Sequence, residues 1–163
     1  MDTYGFKKII VALSNSGKIF GIQSSDGSLL WTSDYLGPVA PQQILLRDAY
    51  SREDGTTQAQ IVAIKQDSMA FLSASTGRQL FNIDLTKDLK KDQKFDKFML
   101  VSLKETKSQL VLAISEDEEI PRVQAYPRAD VPEQLDLEKE QLYFTSINKA
   151  TGVLAGYQIA KDW

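Results

Sequence analysis

One stretch, Gly17-Lys-Ile-Phe-Gly-Ile-Gln-Ser-Ser-Asp-Gly-Ser-Leu-Leu-Trp31, constrains the fold of this chain more than any other. Ile19, Phe20 and Ile22 favour an extended strand, and Ser24-Ser25-Asp26-Gly27 is a turn cluster whose glycine tolerates positive φ. Leu29-Leu30-Trp31 then resumes an apolar run. The stretch reads as a β-hairpin. Its pattern recurs where Gly77 stands four residues before Phe81, as Gly27 does before Trp31, and again where Gly152 stands five residues before Tyr157. Gly27 and Gly77 lie 50 residues apart and Gly77 and Gly152 lie 75 apart, an irregular period near the length of a propeller blade with insertions.

The rest of the chain supplies strands of matching length. Lys7 to Ser14 contains Ile-Ile-Val-Ala-Leu, a continuous apolar run that predicts a strand buried on both faces. Together with the opening hairpin it makes a three-strand meander within about 30 residues. Gly37-Pro-Val-Ala-Pro41 is a linker, because each proline removes a donor and biases its predecessor toward extended backbone. Strands are then expected at Gln42 to Arg47, Gln58 to Lys65, Met69 to Ser73 and Gln79 to Asp84, a four-strand set around Gly77 with a polar loop at Tyr50 to Thr56. Further strands are expected at Phe98 to Leu103, Gln109 to Ile114, Leu142 to Ile147 and Val153 to Ile159. Arg122 to Tyr126, between two prolines, reads as a short or edge strand. Pro132 to Glu140 begins with proline and acids suited to the first turn of a short helix.

Composition removes most chemistry. The chain has no cysteine and no histidine, which excludes thiol nucleophiles, histidine bases, disulfides, and haem or zinc sites of the common kinds. With 19 basic and 22 acidic residues spread along the sequence, no cationic footprint for nucleic acid or anionic lipid forms. No apolar run approaches the roughly 18 residues a membrane-crossing helix needs. The lysines at 87, 90, 91, 94 and 97 alternate with Asp88, Asp92 and Asp96, so the stretch reads as a solvated loop or short surface helix rather than a phosphate site. Glu116-Asp-Glu-Glu119 lacks the alternation and central glycine of a Ca²⁺ loop and reads as an exposed acidic turn. Nothing selects a pair of carboxylates for hydrolysis. No cofactor, metal or catalytic residue is expected.

The Asp/Thr-Gly-x-x-x-Trp/Phe rhythm of Asp26-Gly27…Trp31 and Thr76-Gly77…Phe81 resembles the blade repeat of quinoprotein-type β-propellers. The resemblance implies that the aromatic docks on the neighbouring blade, where its large apolar surface covers a flat sheet face. Two longer segments, Tyr4 to Trp31 and Tyr143 to Asp162, are similar to the lumenal propeller region of the first, largest subunit of the endoplasmic-reticulum membrane protein complex. Val123-Gln-Ala-Tyr-Pro127 before an acidic insertion is compatible with the same region. The expected fold is all-β. It consists of antiparallel meander blades of a partial, quinoprotein-like β-propeller of about three blades, with a short helical insertion. The chain is expected to form a single partial-propeller domain over residues 1–163, with blades at about 1–36, 37–86 and 95–163. The structural motif residues are Gly27, Trp31, Gly77, Phe81 and Gly152.

The resemblance implies a piece of a larger subunit that carries a signal sequence, further lumenal β structure and a membrane anchor. It implies a non-enzymatic lumenal scaffold at the endoplasmic-reticulum membrane. Its partners would be the complex's other subunits and client membrane proteins, with a role in inserting and folding multi-pass and tail-anchored clients. Unpaired strand edges in so few blades must be covered, so self-association of such a fragment is expected. The alternative is a propeller-type interaction domain of another assembly factor. A quinone-dependent dehydrogenase fragment, which uses the same repeat, fits less well: resemblance to those enzymes implies a vicinal cysteine pair, and no cysteine is present.

Overall fold

Strands account for nearly all of the regular structure. The computed structural model describes residues 8–33, 39–91, 93–103, 106–116, 121–132, 143–147 and 150–158. They divide into two compact units, 1–92 and 93–163. The predicted helical insertion at 132–140 and the acidic turn after Glu116 fall almost wholly outside the described residues.

The first unit holds two antiparallel meanders. In one, β1 (Ile9–Leu13), β2 (Ile19–Gln23) and β3 (Leu29–Ser33) lie in chain order. In the other, β4 (Gln43–Tyr50), β5 (Thr57–Ile64), β6 (Ser68–Ser73) and β7 (Gln79–Asp84) do the same. Short turns between β-branched runs leave adjacent pairing as the arrangement with the least loop entropy to overcome. The loop predicted at Tyr50 to Thr56 is the β4–β5 hairpin turn. The two sheets pack face to face through Ile19 on one side and Ile61, Ala63, Ala70, Leu72 and Ala74 on the other, with Val11, Leu13, Trp31 and Ile44 at the margin.

β1 departs from the sequence reading. Its apolar run predicts burial on both faces, yet Ile10 is 53% exposed and its neighbours are only half-buried. Among the described residues β1 pairs with β2 alone, and of its side chains Val11 and Leu13 pack on the core. An apolar run does not report which strand will be central. In the second sheet the fully buried run is Ile61–Ile64 of β5, which has a partner on each side.

The second unit holds β8 (Lys97–Val101), β9 (Leu110–Ser115) and β10 (Arg122–Tyr126), with β9 central and buried throughout, and a separate hairpin of β11 (Tyr143–Ile147) and β12 (Leu154–Gln158). The stretch that reads as one blade thus carries two sheets. Phe144 and Tyr157 of the hairpin pack on a cluster of Val101, Leu103, Leu110, Leu112, Ile114 and Ala125. The lysine-rich stretch forms no α-helix among the described residues. Leu85–Asp88 is a single 3-10 turn capped by Asp84, Lys94 lies 3.8 Å from Asp96, and Lys97 lies 3.6 Å from Glu116. The all-β antiparallel arrangement is that of a partial β-propeller.

Candidate functional site

The turns carrying Gly27, Gly77 and Gly152 are built alike. Each glycine sits at φ of 70–73°, where a side chain would be strained. The residue before it caps the residue after it: Ser28 N–H donates to Asp26 Oδ1 at 2.9 Å, Arg78 N–H to Thr76 Oγ1 at 3.3 Å, and Val153 N–H to Thr151 Oγ1 at 3.4 Å. Short side-chain acceptors at these positions make the turn before any tertiary contact forms.

Beyond the turn the first two hairpins share a β-bulge. Ile22 pairs with Leu29 but Gly21 pairs with Trp31, so Leu30 is extra; likewise Leu72 pairs with Gln79 and Phe71 with Phe81, so Leu80 is extra. In β11–β12 the register runs unbroken from Ile147–Leu154 to Phe144–Tyr157. Side chains alternate between faces, so a bulge shifts the following residues by one position. Without the bulge, the fourth residue after the glycine, Gly156, falls on the opposite face, and the fifth, Tyr157, returns to the equivalent face two pairs further along the hairpin. This explains the spacing of five rather than four before Tyr157.

What each aromatic meets differs. Phe81 stacks on Phe71 of its own sheet with ring centroids 4.4 Å apart, and Tyr157 on Phe144 at 5.2 Å. Trp31 faces Gly21, whose missing side chain lets the indole lie flat across β2 and reach the next sheet. A Cβ on Gly21 would fall on indole atoms Cε2 and Nε1, and one on Gly77 would fall on Cε3, with Cδ2 2.8 Å away. The ring is clamped between two glycines of two different sheets, and its Nε1–H donates to the Ala74 carbonyl at 3.1 Å. Trp31 is half-buried, and a packed indole N–H usually finds such a partner. Of the expected motif residues, Trp31 and Gly77 are brought together. A Cβ on Gly27 or Gly152 would meet nothing within 4 Å, and Phe81 stacks on Phe71 of its own sheet. Gly21 escaped sequence reasoning, although a glycine inside a strand pattern is itself a signal of close approach.

The family described as the second β-propeller of ER membrane protein complex subunit 1 matches residues 5–163. The chain belongs to this family. ER membrane protein complex subunit 1 of Gallus gallus is 24% identical over 166 residues, covering 99% of this chain and 16% of that relative, so the chain spans about a sixth of the relative's length. In this member of the family, the Trp31 clamp joins the β1–β3 and β4–β7 sheets.

Other polar groups in this propeller serve the architecture. Arg47 of β4 is 2% exposed; its Nε donates to Gln60 Oε1 at 2.9 Å and its guanidinium carbon lies 5.3 Å from the Phe71 ring centroid. An amide oxygen and an aromatic face thus meet a cation that burial would otherwise penalise. Asp26, Asp54 and Asp84 cap turns and have pKa values below the ordinary carboxylate range. For Asp26 the first cause is the Ser28 N–H and then its hydroxyl; for Asp54 and Asp84 it is the hydroxyl and then the N–H of Thr56 and Thr86. A folded-state pKa below the unfolded value gives stability that is present above about pH 4 and lost as pH falls through the folded value. The unfolding midpoint should therefore fall on acidification below about pH 4. A variant carrying Asp26→Asn, Asp54→Asn and Asp84→Asn, which keeps the Oδ1 acceptors but does not titrate, should lose part of that dependence in thermal melts from about pH 6 to about pH 3. An unchanged acid profile in the variant would remove these caps from the account.

Proposed function

We propose that this chain is a non-catalytic scaffold module of the ER membrane protein complex. On this reading it lies on the lumenal side of the membrane, presents rigid β surfaces to the complex's other subunits, and so supports the insertion and folding of multi-pass and tail-anchored membrane proteins. Membership in the subunit 1 propeller family supports the complex. The surface of the β11–β12 hairpin carries the interaction reading: Tyr143, Ile147, Val153 and Leu154 are each about 60% exposed. Clustered apolar side chains left in water mark contact surfaces more often than they mark free ones. The seams that hold the blades use buried apolar groups and tight turns, which make the module stiff enough to position such a surface.

Affinity capture of the tagged chain from a detergent extract of endoplasmic-reticulum membranes tests this, with bound proteins identified by mass spectrometry. The other subunits of the complex should be recovered. A variant carrying Ile147→Ser and Leu154→Ser, both on the exposed face, should fold normally by circular dichroism yet lose most of that recovery, because central apolar contacts carry most of an interface's energy. Recovery of no sister subunit above an untagged control would contradict the proposal.

A further inference from the structure

A shallow groove of about 680 Å³ lies between the end of β3 and the β6–β7 turn, lined by Thr32 and Ser33 on one side and residues 76–80 on the other. Its walls carry recognition chemistry that the blade joint beneath does not need. β3 is an edge strand: among the described residues it pairs only with β2, so its far edge presents backbone N–H and C=O groups. The bulge at Leu30 interrupts that edge and leaves Trp31–Ser33 in unbroken register with β2, and Thr32 and Ser33 of this run line the groove. Arg78 is the one charged side chain in the lining. It is exposed, and among the described residues its guanidinium makes no ion pair. Thr32 and Thr76, both exposed, add hydroxyls, and Leu80, 46% exposed, adds an apolar contact.

We propose that this groove binds an extended peptide segment of a partner protein that carries an acidic side chain, with the peptide backbone pairing along β3 and its carboxylate meeting Arg78. Addition of a strand to an open sheet edge supplies affinity through main-chain hydrogen bonds, and the flanking side chains supply selectivity. The charge complementarity is local: Arg78 is the one charged side chain of a lining that contains no carboxylate, so an acidic side chain is the partner it favours. An arginine fork suits a carboxylate better than a lysine would. The site is separate from membership in the complex, because binding to the purified chain reports on the groove whether or not sister subunits are captured.

The groove also contains its own reporter. Gly77 lines it and touches the Trp31 indole, so an occupant changes the surroundings of that ring. The chain has two tryptophans, and Trp163→Phe leaves Trp31 as the single indole emitter. In that background the probe peptides are acetyl-Thr-Val-Asp-Val-Thr-amide, its Lys-for-Asp counterpart, and an Asp peptide N-methylated at alternate residues on its pairing edge. The Asp peptide should give a saturable change in Trp31 emission and bind about fivefold more tightly than the Lys peptide, in keeping with one exposed ion pair. Arg78→Glu should reverse that preference, and N-methylation should abolish binding. Arg78 is exposed on a turn, and circular dichroism checks that its replacement leaves the fold intact. The proposal is overturned if neither peptide binds, if Arg78→Glu leaves the Asp-over-Lys preference unchanged, or if the N-methylated peptide binds as well as its parent.

Discussion

Trp31→Ala is expected to destabilise the β1–β7 unit by about 3–5 kcal/mol, in the range found when a large aromatic is removed from a packed site that cannot collapse. The indole is the group shared by both sheets: it lies on Gly21 of β2, presses on Gly77 beyond β6, and hydrogen-bonds the Ala74 carbonyl at 3.1 Å. Alanine would leave a void bounded by backbone on two sides, and the Ala74 carbonyl would need water in its place. Backbone cannot fill the gap by changing rotamer, so relaxation should be small. Trp31→Phe keeps a ring but loses the donor and part of the area, and should cost less than half as much. Guanidinium unfolding followed by far-ultraviolet circular dichroism checks both. A loss below about 1 kcal/mol for Trp31→Ala would mean that the apolar contacts around Ile61 and Leu72 hold the sheets together without it.

The second large effect separates backbone strain from packing by comparing two glycines in equivalent turns. Gly27 and Gly77 have φ values of 73° and 70°, so an alanine at either adopts the same strained conformation, at a cost of about 1–2 kcal/mol. A Cβ on Gly27 meets nothing within 4 Å, whereas one on Gly77 runs into the indole of Trp31. Gly27→Ala should therefore show the strain alone. Gly77→Ala should show the strain plus an overpacking cost of about 1–3 kcal/mol. Equal losses in the two variants would mean that the ring moves aside freely.

The strands are legible in the sequence because their signals are local. The turns are equally so: Ser-Ser-Asp-Gly, Ala-Ser-Thr-Gly and Lys-Ala-Thr-Gly fix hairpins from short-range chemistry, and the pairing of Phe71 with Phe81 follows from the turn at Gly77. What sequence cannot supply is the partner of each face. Phe81 and Trp31 occupy the same place in the repeat, yet Phe81 stacks on Phe71 in its own sheet while Trp31 crosses to the next. The difference is the residue across the strand, phenylalanine for Phe81 and glycine for Trp31. The turn alone singles out Gly77, and its contact with Trp31 spans 46 positions that no local pattern encodes. The altered spacing before Tyr157 looks like a weaker repeat. It is instead the same face reached without a bulge. The apolar run of β1 overstates its burial for a related reason, since centrality in a sheet depends on neighbours rather than on the apolarity of the strand itself.

The glycine–indole–glycine clamp joins the two sheets, and a double-mutant cycle between Trp31→Ala and Gly77→Ala tests it most directly. With the indole gone, the methyl group introduced by Gly77→Ala no longer has a ring to strike. That substitution, measured in the Trp31→Ala background, should therefore cost no more than Gly27→Ala does in the intact chain. The coupling should amount to about 1–3 kcal/mol. Strictly additive losses, with Gly77→Ala costing as much without the indole as with it, would contradict the clamp.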